Sequence, residues 1–129
     1  MLKSTVRDFM TRELVTFSPS TPIVEAIDTL VKTKISGAPV IDNHGNLVGV
    51  LSEKDCMKVA LDMKYHQEYG GPVSDFMHTE VLTVQDDMSI AEVAEMFFTS
   101  SFRRYPVFKD NQLVGQISRR DVLRALQDS

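Results

Sequence analysis

The chain is 129 residues long, 43% hydrophobic and 25% charged, with a formal net charge of −4. That length holds one ordinary domain or two very small ones, and the composition supports a buried core and excludes a disordered chain. The acidic balance argues against broad binding to nucleic acid or to an anionic membrane. The lone Cys56 excludes an intrachain disulfide and fits a reducing, cytoplasmic setting.

In chain order, the opening MLKSTVRDFMTREL carries interspersed charge and no apolar core, so it does not read as a secretory signal. No run approaches the ~20 apolar residues of a membrane helix. Thr21 and Pro22 predict an N-cap with proline at the first helical position, and Ile23, Ala26, Ile27, Leu30 and Val31 follow at helical spacing. APVI (38–41), the turn DNHGN and LVGVL (47–51) predict a β-hairpin, and SEKDCMKVALDM (52–63) a helix. DMKYHQEYGGP (62–72) reads as a linker, with Gly70, Gly71 and Pro72 as breakers. Beyond it, Ser89 and Glu92 form a capping box that opens a helix with Val93, Ala94 and Phe97 on one face. YPVF, KDNQ and LVGQI (105–117) predict a second hairpin, and SRRDVLRALQDS (118–129) a last helix.

The sequence is therefore written twice. VRDFMTRELVTF (6–17) aligns with VSDFMHTEVLTV (73–84), and LVGVLSEKD (47–55) returns as LVGQISRRD (113–121). Each copy predicts a β-α-β-β-α unit too small to close a good core alone. The expectation is an α+β fold in which a first repeat (1–62) and a second repeat (73–129), joined by a linker (63–72), pack sheet to sheet.

The repeated Ser-x-x-Asp, Ser52/Asp55 and Ser118/Asp121, admits two readings. It has capping-box spacing at a helix start, where serine caps a backbone N–H and aspartate suits the helix dipole. A carboxylate at a strand-to-helix corner can also accept from two neighbouring hydroxyls, such as a ribose diol. It would repel a phosphate, which must then meet cations elsewhere. Arg103, Arg104, Arg119 and Arg120 flank the second copy's strand and helix start, either as a solvated charged face or as the lining of a cleft.

The DFM segment, the Thr-Pro-Ile helix start, GAPVID and GVLSEKD, in this order and duplicated, resemble the cystathionine-β-synthase (CBS) domain, from about Val6 to about Leu126. A tandem pair of such domains is a Bateman module. The resemblance implies two repeats packed about a pseudo-twofold axis, with two clefts for adenosine derivatives (AMP, ADP, ATP or S-adenosylmethionine), and a regulatory rather than catalytic role. It implies one cleft with Ser118 and Asp121 on the ribose, Met10, Val15, Ile35, Ser36, Gly37 and Ala38 around adenine, and Arg103 and Arg104 on phosphate. It implies a second, weaker cleft with Ser52 and Asp55 on the ribose and Met77, Leu82, Phe102 and Arg103 around the base. Gly37 stands where the other repeat has Arg104, so the second cleft lacks that cation. Phe102, Arg103 and Tyr105 would narrow its base pocket.

Other residues point to little chemistry. Cys56 follows Asp55 at a helix start but has no adjacent base. His44, His66 and His78 share no metal-ligand spacing and read as surface or loop residues. Met57, Met63, Met88 and Met96 read as packing residues, and no Ser-His-Asp order, P-loop or dinucleotide fingerprint is present. Two functions remain: an adenine-nucleotide sensor reporting to an unidentified effector protein, with no catalytic cofactor or metal, or a structural dimerisation or docking module with empty clefts. A homodimer is expected from the family and from apolar Met57, Val59, Ala60, Val122, Leu123 and Leu126 on the late helices.

Overall fold

Capping and periodicity set the helices. The computed structural model describes residues 4–66 and 70–128, so residues 67–69 of the expected linker and Ser129 of the expected last helix lie outside the described residues. Helix α1 spans Val6–Phe9, α2 Ile23–Thr33, α3 Glu53–His66, α4 Ile90–Phe98 and α5 Arg119–Asp128. The strands are β1 Gly37–Ile41, β2 Leu47–Ser52, β3 Val84–Gln85, β4 Arg104–Lys109 and β5 Gln112–Ser118, with a 3-10 turn at Val73–Asp75.

The capping box that opens α4 forms as expected: the Glu92 N–H donates to Ser89 Oγ at 3.1 Å, and Ser89 Oγ donates to Glu92 Oε1 at 3.1 Å. The start of α2 differs from expectation. Its N-cap is Pro22, with no side-chain cap, and the Thr21 hydroxyl instead accepts from the Ser18 N–H at 3.1 Å. Proline cannot donate, so it costs nothing at a position whose N–H would be orphaned. Helix α3 runs on through His66, one turn into the stretch expected as linker.

Both hairpins form. In the first turn, Asp42 Oδ1 accepts from the N–H groups of His44 and Asn46, each at 2.9 Å, and Gly45 supplies φ 84. The Asn46 backbone bond holds the Asp42 carboxyl below its usual range, which makes this carboxylate a turn residue. The second turn needs left-handed Asp110 and Asn111 (φ 49 and 66). This is the residue chemistry of a two-residue hairpin.

The chain folds into two compact units. The first is Val15–Val81; the second combines the described parts of Met1–Leu14 and Leu82–Ser129. Their bounds differ from those of the sequence repeats, because each repeat's DFM segment belongs with the other repeat's hairpin. In the first unit β1 pairs antiparallel with β2, Phe17 bridges β1 in parallel at Val40, and His78 bridges β2 at Val50. In the second unit β3 pairs in parallel with β4, β4 pairs antiparallel with β5, and Thr11 bridges β5 at Gln116. The leading strand of each repeat is thus reduced to one bridge or two residues. Both hairpins bulge at the same place, after Val40 and after Val107.

Each DFM segment drives a fully buried valine into the core that receives it. Val73 joins Phe17, Ile23, Leu30, Val40 and Leu51, and Val6 joins Ile90, Phe97, Tyr105, Val107 and Ile117. Fully burying one valine contributes about 1.5–3 kcal/mol. Arg7 pairs with the buried Asp86 at 3.6 Å, fastening α1 at its base. Among the described residues no helix is long and apolar enough to cross a membrane.

Candidate functional site

The repeated Leu-Val-Gly-x-x-Ser-x-x-Asp has a different physical reason at each position. The glycine makes room. A Cβ on Gly115 would lie 2.7 Å from the Thr11 carbonyl and 3.0 Å from Met10 Sδ. One on Gly49 would lie 2.7 Å from both the His78 carbonyl and Met77 Sδ. The methionine of each DFM segment is therefore seated on the other repeat's glycine, beside the Ser-x-x-Asp corner.

At both corners the strand ends at the serine and the helix begins at once. Asp55 Oδ2 accepts from the Ser52 N–H at 3.1 Å and from Ser52 Oγ at 2.8 Å, and the Asp55 N–H donates to Ser52 Oγ at 3.2 Å. Asp121 Oδ2 accepts from the Ser118 N–H at 2.9 Å, and the Asp121 N–H donates to Ser118 Oγ at 3.2 Å. The capping reading is therefore correct for both copies. It uses only one oxygen of each carboxylate. Oδ1 of Asp55 meets His78 Nε2 at 2.9 Å, and Oδ1 of Asp121 meets Arg124 Nη2 at 3.1 Å. Arg124 also donates to the Phe9 carbonyl at 3.1 Å and lies over the Phe9 ring. Each Oδ1 is thus tied to the visiting DFM segment, directly through His78 or by way of Arg124. The His78 link is not visible in the sequence, where His78 reads as a loop residue, whereas Arg124 follows Asp121 by three residues on a helix, a spacing that could have revealed it.

The residues expected around the ligands divide between the units. The second unit holds Met10, Leu82, Phe102, Arg103, Arg104, Ser118 and Asp121; the first holds Val15, Ile35, Ser36, Gly37, Ala38, Ser52, Asp55 and Met77. Within the second unit Arg104 pairs with Ser118 across the β4–β5 ladder, and the Arg119 N–H donates to the Arg103 carbonyl at 3.2 Å. Arg119 Nη2 donates to the Phe102 carbonyl at 3.2 Å. Arg103, Arg119, Arg120 and Arg124 are exposed and Arg104 is half-buried, so the corner is strongly cationic. In the first unit Gly37 pairs with Ser52, and the Glu53 N–H donates to the Ser36 carbonyl at 2.9 Å. The residues there that correspond to Arg119, Arg120 and Arg124 are Glu53, Lys54 and Lys58, a much weaker positive field.

Tyr105 faces inward. It is fully buried, stacks on Phe97 at 4.5 Å and shares a 2.6 Å hydrogen bond with Ser100. Its bulk fills the core. Cys56 is also buried; desolvation, and then the charges of Asp55 and Glu53, push its thiol up to about 11, the opposite of an activated thiolate. Met57 is 67% exposed rather than packed. Among the described residues no cluster of His, Cys, Asp and Glu could hold a metal ion. An open groove of about 400 Å³ along α4, lined by Met88, Glu92, Glu95, Met96 and Thr99, contains none of the expected site residues.

The comparisons with known proteins agree with this fold. The chloroplastic CBS domain-containing protein CBSX2 of Arabidopsis thaliana is 32% identical, over 94% of this chain and 63% of its own length. The CBS domain-containing protein YhcV of Bacillus subtilis is 31% identical, over 92% of this chain and 83% of its own. Other relatives are larger: the chain spans 42% of the uncharacterized protein MJ1225 and 22% of an inosine-5'-monophosphate dehydrogenase, both of Methanocaldococcus jannaschii. A crystal structure of CBSX2 in complex with AMP has a TM-score of 0.83 at 36% identity, covering 96% of each chain. The CBS domain pair of MJ0100, in complex with 5-methylthioadenosine and S-adenosyl-L-methionine, has a TM-score of 0.83 at 25% identity, covering 97% of each chain. The CBS domain model matches residues 6–62 and again 73–128, and on both matches the chain belongs to the CBS domain family.

Proposed function

We propose that this chain is a non-catalytic regulatory module that binds an adenine nucleotide at its Ser-x-x-Asp corners, with the Ser118/Asp121 corner preferred. The observation that carries this is the division of labour within each carboxylate. Oδ2 is spent on the helix start, and Oδ1 faces a side-chain nitrogen, His78 Nε2 in one copy and Arg124 Nη2 in the other. A carboxylate oxygen has lone-pair capacity beyond one such bond, so Oδ1 can accept from a ribose hydroxyl. In the second unit Arg104 pairs with Ser118 at the head of the same corner and Arg103 precedes it, a placement of positive charge that suits a phosphate. Met10, against Gly115, supplies an adaptable apolar surface. The AMP held by CBSX2 supports an adenylate ligand. The ligands of MJ0100 support S-adenosylmethionine as a second reading, suited to a corner with less positive charge.

Isothermal titration with AMP, ATP, S-adenosylmethionine and adenosine tests the reading. Binding of AMP or ATP that is lost in Asp121→Ala is the expected result. Tighter binding of S-adenosylmethionine favours the second reading, and no binding of any of the four leaves a structural module. The exposed Met57, Leu61 and Tyr65 of α3 and Leu123 of α5 suit contact with a second copy of the chain. Sedimentation should show a dimer at micromolar concentration; a monomer at high micromolar concentration would overturn that part.

A further inference from the structure

The two corners differ in the chemistry of the group that holds Oδ1. Arg124 offers a permanently charged guanidinium, whereas His78 offers an imidazole, the one side-chain type that can bind Oδ1 as a cation or as a neutral donor. At the position of His78 the other DFM segment carries Thr11, which has no ionisable group. Asp55 is well covered, its side chain 12% exposed, and its Oδ2 is committed to Ser52. Oδ1 is therefore the oxygen through which a ligand can approach this carboxylate. His78 is held at that oxygen by its own backbone, which exchanges two 2.9 Å hydrogen bonds with Val50 of β2.

We infer that His78 is a positioning residue that makes the affinity of the Asp55 corner for a neutral ribonucleoside depend on pH, while the Asp121 corner is insensitive to pH. This rests on the reading of the Ser-x-x-Asp corners as ribose sites. Below the imidazole's midpoint, the imidazolium competes with ribose hydroxyls for Oδ1; above it, the neutral ring yields. The charged and titratable groups on the elements packed against His78 are Glu53, Lys54, Asp55 and Lys58, with the buried Cys56 thiol, on the early turns of α3, and Asp75 and Glu80 on its own segment. The stretch of β2 beside it, from Leu47 to Leu51, carries none. Asp55 is the one group among these that the structure places in a salt bridge with His78.

The probe is adenosine, because it lacks a phosphate that would titrate in the same range. In an Asp121→Asn background, adenosine affinity should rise about two- to fivefold between pH 5.5 and 8, the span open to a partly exposed ion pair. Adding His78→Thr, the residue of the other segment, should flatten that profile. In an Asp55→Asn background the remaining corner should show no pH dependence. A second measurement needs no ligand. The pH response of the His78 imidazole, followed by NMR and identified by its loss in His78→Thr, should differ between the wild-type chain and Asp55→Asn. Adenosine binding whose pH slope survives His78→Thr, or an imidazole pH response unchanged by Asp55→Asn, overturns the role of His78 alone. Absence of adenosine binding in every variant at every pH overturns the ribose reading, and the role of His78 with it.

Discussion

The two units share one plan and differ at their Ser-x-x-Asp corners. Their backbones agree down to the bulge after Val40 and Val107, and down to the glycine beneath the visiting methionine. In front of the buried strand the first unit has Ile35, Ser36, Gly37 and Ala38, and the second has Phe102, Arg103, Arg104 and Tyr105. Small residues in one copy answer large and cationic ones in the other. Inside the core the exchange is partly balanced: Tyr105 and Phe97 take the places of Ala38 and Leu30, while Ala125 replaces Val59. At the surface it is not balanced, and one corner gains a cluster of arginines. A duplicated scaffold can thus keep its packing rules and still present two unlike corners.

The largest expected effect separates the corners directly. Asp121→Ala should weaken binding of AMP by about 1.5–3 kcal/mol, the worth of a lost charge-assisted hydrogen bond. Asp55→Ala should cost less, because the surroundings of Asp55 attract a phosphate weakly. Both variants also lose the aspartate half of the capping box, worth about 1 kcal/mol, so thermal melts must accompany the titrations. If Asp55→Ala abolished binding and Asp121→Ala did nothing, the preference would be reversed.

The next effect tests what the units share. Gly115→Ala and Gly49→Ala each push a methyl group to 2.7 Å from a backbone carbonyl, a neighbour with little freedom to move. Overpacking of this kind costs about 1–3 kcal/mol. Both variants should lower the thermal midpoint. A normal midpoint in either would show that the DFM segment is not seated on its glycine.

Cys56 breaks the likeness in the core, where the other repeat carries Val122. Its thiol is pushed from 9.0 to about 11, first by burial and then by Asp55 and Glu53. The folded thiol therefore holds its proton more tightly than the unfolded one. This contribution to stability is complete below about pH 9 and is lost as pH rises through about 11, on the order of 2 kcal/mol in all. Cys56→Val should remove that part of the alkaline loss in denaturant titrations at pH 8 and pH 11. Equal losses in both proteins would rule the thiol out as their source.

How far the sequence disclosed this arrangement depends on the range of each interaction. The helices, hairpin turns and duplication rest on contacts between residues near in sequence, such as Ser89 with Glu92 or Asp42 with Asn46, and were legible. The exchange of DFM segments was legible only through the family resemblance, which set Met10 with Ser118 and Asp121 and Met77 with Ser52 and Asp55. Thr11 meets Gln116 through a single backbone bridge that any residue pair could form, and the only other trace is the glycine–methionine match of Gly115 with Met10. One partner of Oδ1 was hidden because His78 and Asp55 lie far apart in sequence and nothing local marks the histidine, whereas Arg124 stands one helical turn after Asp121. Tyr105 was expected to narrow a base pocket, whereas it is fully buried in the core, because nothing local shows which way a strand tyrosine faces. The hydroxyl of Ser100 makes its burial tolerable.

The smallest expected effect is the most discriminating. Arg104 opens β4 opposite Ser118, and Gly37 opens β1 opposite Ser52, so one corner carries a guanidinium where the other carries no side chain. If Arg104 acts on phosphate, Arg104→Ala should weaken AMP and ATP by about 0.5–1 kcal/mol, as befits a partly exposed charge contact, and leave adenosine unchanged. Raising the salt concentration should reproduce the effect in the wild-type chain and add little in the variant. The reverse exchange is not open to test by simple substitution, because a Cβ on Gly37 would lie 2.9 Å from the Leu51 carbonyl. The strand therefore keeps glycine for room, and the asymmetry is built into the backbone of the first unit as well as the charge of the second. Equal losses for adenosine and AMP in Arg104→Ala would show that Arg104 shapes the corner instead of meeting phosphate, and the difference between the two sites would then be one of form rather than charge.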